Sequence, residues 1–455
     1  MLILMEKLLK LLFKIAVSKR LYTMLSLVYS FVIEELTANG GVIRPSKHAE
    51  NNKITILILS SKSFRKDIDY IVATNEFRVL RIPDHWQSRL IFQFYPEGFQ
   101  KFWVDTNPDH ADYKYKNEQK ELRVFLQKFL KRLYKRIRID CVISPHPRYV
   151  VDRDWGAVST KMGIPHILLP RDSQFTSSPY LFDYTMHLFK NGLPRFEGEH
   201  IIIQSALDKQ VYTDSGYIKP EKISSLGCPR MDSFVKKTRK KKDHSENMRK
   251  KIVFLPFGLR NILEKSDLSS YICNVHLFFV DFALRYPRID VVLKAKPKRP
   301  RSPRKTVLLK PLEGSSIELD KIPNLTIRED LDLHDLFFEC DVVCGLNTSA
   351  LLEAAVIGLP VIIPYFKDLQ NQKYDERLFY RDKYELFDIA KDVNELESLI
   401  LKRLHNQTID ERIMEGRKAL FESFISSLDG DATEKYVTLI KEIVNKQNMH
   451  VLAKR

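Results

Sequence analysis

The chain of 455 residues is poor in the features that would tie it to a metal, a disulfide scaffold or a membrane span. Its five cysteines, Cys141, Cys228, Cys273, Cys340 and Cys344, form an odd set with no Cys-x-x-Cys pair. That spacing argues against a zinc site and against a stapled secreted domain, and three of the five fall in or beside apolar runs. They read as reduced core residues of a cytoplasmic protein. No uncharged apolar run reaches the roughly 18–20 residues that a spanning helix needs, and Leu21–Ile33 stops short of it. No convincing small-residue cleavage site follows the first apolar stretch, as a signal peptide would require. No internal repeat at a solenoid period is visible. No Asp-x-Asp stands in a suitable strand-end context, so the expected chemistry uses no metal ion and no other cofactor.

What is present describes a folded, basic protein of more than one domain. Apolar residues make up 44% and charged residues 29%, which is a globular rather than a disordered composition. The length exceeds one ordinary core and suggests two or three domains. A net charge of +16 implies an anionic partner: nucleic acid, an acidic membrane surface or a phosphorylated substrate. Aromatic residues do not interleave the basic runs Lys236–Lys251 and Lys294–Lys305, as base stacking would require, so the reading is that nucleic acid is not the partner. Residues 1–40 begin with leucines and phenylalanine mixed with Lys7, Lys10, Lys14, Lys19 and Arg20, a basic amphipathic helical pattern. Such a segment suits an anionic membrane surface, and it equally suits a helix packed on the protein. Asn39–Asn52, with Gly-Gly and Pro, reads as a linker.

From Lys53 onward, short apolar runs alternate with helical patterns. Strands are expected at Lys53–Ser60, Phe77–Ile82, Cys141–Ser144, Ile167–Leu169 and Glu199–Gln204, with helices near Asn117–Arg136, Trp155–Met162 and Ser205–Gly216. The alternation resumes at Ile252–Pro256, with a helix at Tyr271–Arg285 and strands at Val291–Leu293 and Leu325–Ile327. This order argues for parallel sheets covered by helices, with ligands in the crevice beyond the carboxyl ends of the strands. The densest unit is Cys340–Phe366, a strand, a polar turn, a helix closed by Gly358 and a second strand restarted by Pro360. Its turn, Asn347-Thr348-Ser349, lies at a helix N-terminus, where backbone N–H groups, the helix dipole and two hydroxyls suit a phosphate. Glu353 follows one turn later on the same face, placed to accept hydrogen bonds from sugar hydroxyls. The same residues also suit a plain helix cap and a solvated helix face.

Ser349–Ile363, with Glu353, Ala354, Gly358, Pro360 and Val361, resembles the small-residue, Glu, Gly-x-Pro-Val signature in the C-terminal domain of two-domain nucleotide-sugar transferases of the GT-B type. Within that type it resembles the bacterial surface-carbohydrate group of capsule and lipopolysaccharide biosynthesis. That group is related to CDP-glycerol glycerophosphotransferases and to non-hydrolysing UDP-N-acetylglucosamine 2-epimerases. Two further segments are similar to the same group: Lys222–Asp232, ending in Gly-Cys-Pro-Arg-Met-Asp, and Asp429-Gly430-Asp431-Ala432 before the last helix. The first of these reads equally as a tight turn set by Gly227 and Pro229.

The resemblance implies an α/β fold of two Rossmann-like doubly wound domains facing across a cleft, with the N-terminal amphipathic segment added. The corresponding division is 53–235 for the N-terminal acceptor-side domain, 236–251 for a basic linker, 252–427 for the donor domain and 428–455 for a helix crossing back. The implied activity is transfer of a sugar from a nucleotide-activated donor to a surface glycan or lipid-linked acceptor, peripherally at the inner face of the cytoplasmic membrane. A glycerophosphotransferase, a 2-epimerase and a non-catalytic basic binding protein are the alternatives. Donor binding is expected from Lys294, Lys296, Asn347, Thr348, Ser349 and Glu353. Arg171 and Arg230 are candidate cleft residues. The general base is expected at Asp172, after the strand Ile167–Leu169, with His146, Asp152 and Asp154 as alternatives. Arg171-Asp172-Ser173 departs from the basic-acidic-glycine pattern of the resembled group at this place.

Overall fold

The computed structural model of the chain describes residues 11–45, 52–64, 66–96, 99, 114–147, 149–170, 176–239, 249–257, 268–294, 318–370 and 372–453. Two compact units divide it: Met1–Asp172 with Tyr184–Ser233 and Asp429–Arg455, and Ser173–Asp183 with Phe234–Leu428.

The first unit is built on a sheet of eight strands: Glu34–Leu36 (β1), Val42–Ile43 (β2), Ile54–Ile58 (β3), Phe77–Arg81 (β4), Cys141–Ser144 (β5), His166–Leu168 (β6), His200–Ile203 (β7) and Ile223–Ser225 (β8). Their spatial order is β2-β1-β4-β3-β5-β6-β7-β8, parallel from β4 to β8 and antiparallel at the β1 and β2 edge. Period-two alternation assigns the strand residues to two cores. Leu57, Leu59 and Val142 join one with Phe13, Tyr29, Trp86, Phe129 and Trp155. Ile56, Ile58, Cys141 and Ile143 join the other with Tyr436, Val437, Ile440 and Val444 of the last helix, Ala432–Ala453. That helix is tied at its start by Asp232, whose two carboxylate oxygens accept the N–H groups of Ala432 (3.0 Å) and Thr433 (2.7 Å). The aspartate that ends Gly-Cys-Pro-Arg-Met-Asp is thus what receives the helix after Asp-Gly-Asp-Ala.

One expectation changes here, and for the N-terminal segment the packed alternative holds in part. Asn39–Asn52 is not all linker, because Val42–Ile43 pairs with β1, which in turn pairs with β4. The edge was hidden in the sequence because β1 is a short Glu-Glu-Leu run, held by Arg78 on Glu35 (3.0 Å) and Arg81 on Glu34 (2.6 Å) rather than by an apolar pattern. The N-terminal segment is also partly core. Residues 11–18 and Tyr22–Val32 are helical and bury Phe13, Ala16, Val17, Leu25 and Tyr29, while Leu11, Ile15, Leu27 and Phe31 stay exposed.

The second unit has six parallel strands: Lys251–Leu255 (β9), Asp290–Lys294 (β10), Leu325–Arg328 (β11), Val342–Gly345 (β12), Val361–Pro364 (β13) and Asp388–Ala390 (β14). The order is β11-β10-β9-β12-β13-β14. Ser173–Asp183 belongs to this unit although the sequence division gives it to the first. Tyr380 N–H donates to the Ser177 carbonyl (2.7 Å) and Ser178 Oγ to the Glu376 carbonyl (2.7 Å). Among the described residues no helix is long and apolar enough to cross a membrane. Cys141, Cys228, Cys340 and Cys344 are buried and Cys273 is half-buried, and none of the five is in a disulfide.

Candidate functional site

In the second sheet β9 lies between β10 and β12, so the connections leave it in opposite directions and a crevice opens beyond the carboxyl ends of β9 and β12. The turn after β12 is Leu346–Ser349, and it stands at that switch point. Asn347 adopts φ +53, the left-handed region that asparagine tolerates better than most residues. Its Oδ1 accepts the Phe379 N–H (2.9 Å), which fixes the side chain and leaves Nδ2 buried without a hydrogen-bond partner. Thr348 Oγ1 accepts the Ala350 N–H at 3.4 Å. Ser349 is the N-cap of the helix Ala350–Val356, yet its side chain makes no capping bond. The plain-cap reading therefore holds weakly for Thr348 and not for Ser349.

Glu353 is not a solvated helix residue. It is 6% exposed, and its Oε2 lies 2.9 Å from His334 Nε2. The imidazole in turn stacks on Phe234, with ring centroids 4.3 Å apart. His334 is the second residue of the helix Leu333–Glu339, and Asp332 Oδ1 accepts its N–H (2.9 Å). Sequence reasoning missed this partner. The one local signal was the Asp332 cap, which says where a helix begins and not what the imidazole in its first turn meets. Lys294, at the end of β10, donates from Nζ to the Glu329 carbonyl (3.1 Å), just past the end of the neighbouring β11. Beyond β13, Tyr365 OH donates to Asp375 Oδ1 (2.6 Å), and the Arg381 guanidinium binds the same carboxylate while lying over the rings of Tyr365 and Tyr384. Burial and the Asp375 carboxylate push the Tyr365 phenol up to about 12. This group too was absent from the sequence reading.

The first unit gathers a second set of polar groups at the carboxyl ends of β3 and β5 and beside the start of β6. Ser60 follows β3 with φ +45, and its Oγ donates to Asp152 Oδ1 (2.8 Å). Gln87 Oε1 accepts the Ser60 N–H (3.0 Å), and its Nε2 donates to the Val151 carbonyl (3.0 Å) and to Asp152 Oδ1. Asp152 is 1% exposed, and its Oδ2 has no partner. Burial raises its carboxyl to about 7 against the lowering effect of the two hydrogen bonds, and the Asp84 charge adds to the rise. Asp152 lines a cavity of about 340 Å³, counted to its mouth, together with Ser144, His146, Tyr149, His166 and Tyr217. His166 Nε2 and Ser144 Oγ are 2.7 Å apart, and burial depresses the imidazole to about 3, so it stays neutral. The helix Val150–Lys161 reaches His166 only because residue 156 is glycine: a Cβ there would lie 2.0 Å from His166 Nδ1.

The other predicted residues fall differently. His146 is half-buried on the cavity wall, stacked on Tyr149 with ring centroids 4.8 Å apart. Asp154, two residues after Asp152, points elsewhere. It is fully buried, and its Oδ1 accepts from Arg123 Nε (2.6 Å) and Gln119 Nε2 (2.8 Å). Arg230 is held by Asp67, with both carboxylate oxygens 3.1 Å from Nη1. Arg171, Asp172 and Lys296 lie outside the described residues.

No family model matches the chain, and no curated protein does. Solved structures do. The wall teichoic acid polymerase TagF superposes over 98% of this chain and 98% of its own, at 11% identity and TM-score 0.50. A UDP-GlcNAc 2-epimerase from Neisseria meningitidis bound to UDP-GlcNAc covers 85% of this chain and 99% of its own, at 13% identity and TM-score 0.45. The UDP-GlcNAc 2-epimerase from Methanocaldococcus jannaschii covers 86% and 99%, at 11% identity and TM-score 0.47. With its two Rossmann-like units, the chain has the GT-B type of fold that it shares with the teichoic acid polymerase.

Proposed function

We propose that this protein is a transferase of the GT-B type that moves a sugar from a nucleotide-activated donor to a surface glycan or lipid-linked acceptor. The observation that carries the reading is the Asn347–Ser349 turn. It stands at the switch point of a parallel sheet, with a buried amide donor that the fold leaves unpartnered and a serine that makes no capping bond. Donors of this kind suit the oxygens of a donor phosphate. The Lys294 ammonium adds positive charge at the end of β10, on the other side of β9, and Lys296 is proposed to act with it. The Glu353–His334 pair presents a fixed carboxylate to sugar or ribose hydroxyls. Asp172 is proposed as general base and His146 as its replacement. Asp154 has the weaker claim, since Arg123 and Gln119 occupy it. The chemistry is proposed to run without a divalent ion.

The acceptor is proposed to be met at an anionic membrane surface. The exposed apolar residues Leu11, Ile15, Leu27 and Phe31, with Lys14 on the first helix and Lys19 in the turn after it also exposed, suit attachment of a helix lying in the interface. Sedimentation with acidic vesicles should fall with salt and with replacement of these four residues by serine.

The function is tested by offering CMP-, CDP-, UDP- and GDP-linked donors and following binding by calorimetry and turnover by nucleotide release. One donor should bind, and Ser349→Glu and Lys294→Ala should each weaken it. Asp172→Asn should keep donor affinity and lose about 10²–10⁴-fold in rate. A donor that carries glycerol rather than a sugar would turn the reading to glycerophosphotransfer. No binding across the panel would refute it.

A further inference from the structure

Folding gains nothing from a carboxyl oxygen that is out of water and without a donor. Asp152 has such an oxygen. Its Oδ1 takes the hydrogen bonds of Ser60 and Gln87, so the side chain is fixed, while Oδ2 has no partner. A fixed Oδ1 and an unpartnered Oδ2 on a cavity wall make a preset acceptor for one ligand donor. The rest of the wall fits a hydroxylated ligand. Tyr149 and Tyr217 supply apolar ring surface for C–H groups, and the Ser144–His166 pair supplies a neutral polar edge. Arg153, Arg195 and Glu197 also line the cavity, and Arg195 and Glu197 are exposed, so charge of both signs stands toward its mouth. The enclosed part has room for a group the size of a hydroxymethyl, with the remainder of the ligand reaching outward. The cavity lies between the carboxyl end of β5, the helix Val150–Lys161 and residues 194–198, which lead into β7.

We propose that this cavity binds a hydroxyl-bearing unit, a sugar or polyol, with one hydroxyl donating to Asp152 Oδ2. The site rests on the transferase reading only in identifying that unit as part of the acceptor. In that role the hydroxyl oxygen forms the new bond to the transferred carbon. The bond from that carbon to the donor phosphate oxygen breaks with its electron pair leaving on the phosphate. The hydroxyl proton passes to Oδ2 and from there to water, so that Asp152 takes the place proposed above for Asp172 if Asp172→Asn keeps its turnover. A carboxyl that titrates near neutral pH is suited to take and return such a proton. The charged and titratable groups around it include Asp84, His146, Arg153, His166, Arg195 and Glu197, and of these His166 stays neutral.

The test uses the full chain with glycerol, glycerol 3-phosphate and N-acetylglucosamine as probes, and saturation-transfer NMR as the readout of binding. At least one probe should bind the wild type at millimolar concentration. Asp152→Asn keeps an oxygen for Ser60 and Gln87 but presents no acceptor to the cavity, and it should weaken that probe by about 10–100-fold. Tyr149→Ala, at a half-buried wall position, should weaken it as well and serves if the buried variant does not fold. Nucleotide affinity, measured on the same variants, should not change. Probe binding that is absent from the wild type, or unchanged in both variants, would overturn the proposal. A chain that binds a probe through Asp152 but no nucleotide would retain the site and count against the transferase reading.

Discussion

Asp152→Asn should flatten a pH dependence of stability that the wild type carries. The folded chain holds the Asp152 proton up to about pH 7 because the carboxyl is wholly buried, whereas an unfolded aspartate loses it near about 3.9. Between those two values the native state binds more protons than the unfolded state. Stability from this group is therefore fully present below the unfolded value, declines as pH rises toward 7, and is constant above it. A separation of about three pH units corresponds to about 4 kcal/mol lost across that window. Asparagine cannot ionise and keeps an acceptor for Ser60 and Gln87, so the variant lacks this slope. Urea unfolding followed by tryptophan fluorescence reads it, since Trp86 and Trp155 are buried in the same unit. Other titrations cancel when the two proteins are compared at each pH. The difference should move in favour of the variant by about 4 kcal/mol from acid to neutral pH and then level off. The same slope in both proteins would refute the reasoning and show that Asp152 is ionised in the fold throughout.

Two further outcomes follow from packing. Gly156→Ala places a methyl 2.0 Å from His166 Nδ1, in a helix that cannot retreat without disturbing Trp155, so it should cost about 1–3 kcal/mol and lower the melting midpoint. An unchanged midpoint would mean that the helix and β6 are not packed as described. His334→Ala takes the imidazole from a Glu353 carboxylate that is 6% exposed, and should cost about 1–3 kcal/mol in urea unfolding, with partial recovery in His334→Gln. No loss in the alanine variant would show that the pair does not hold.

The sequence by itself determined the elements and the fold class, because both rest on local chemistry. Apolar runs too short for helices, such as Ile54–Ile58 and Val342–Gly345, can bury a strand on both faces only inside a parallel sheet, and a helix that reaches Gly358 must stop where φ turns to +84. The Asn347–Ser349 turn was legible for the same reason. What only the tertiary structure decided was which polar side chains meet. Asp152 and Asp154 lie two residues apart on one helix, which turns them about 200° from each other. The sequence gives no means of telling which of them faces Ser60 and a cavity and which faces Arg123, because that choice is made by the helix Lys116–Arg136 and the strand ends packed on either side. The Glu353–His334 pair and the edge strands of the first sheet were hidden for a related reason. Each is fixed by a contact between segments distant in the chain, and a charged pair or a short polar strand has no periodicity of its own to announce it.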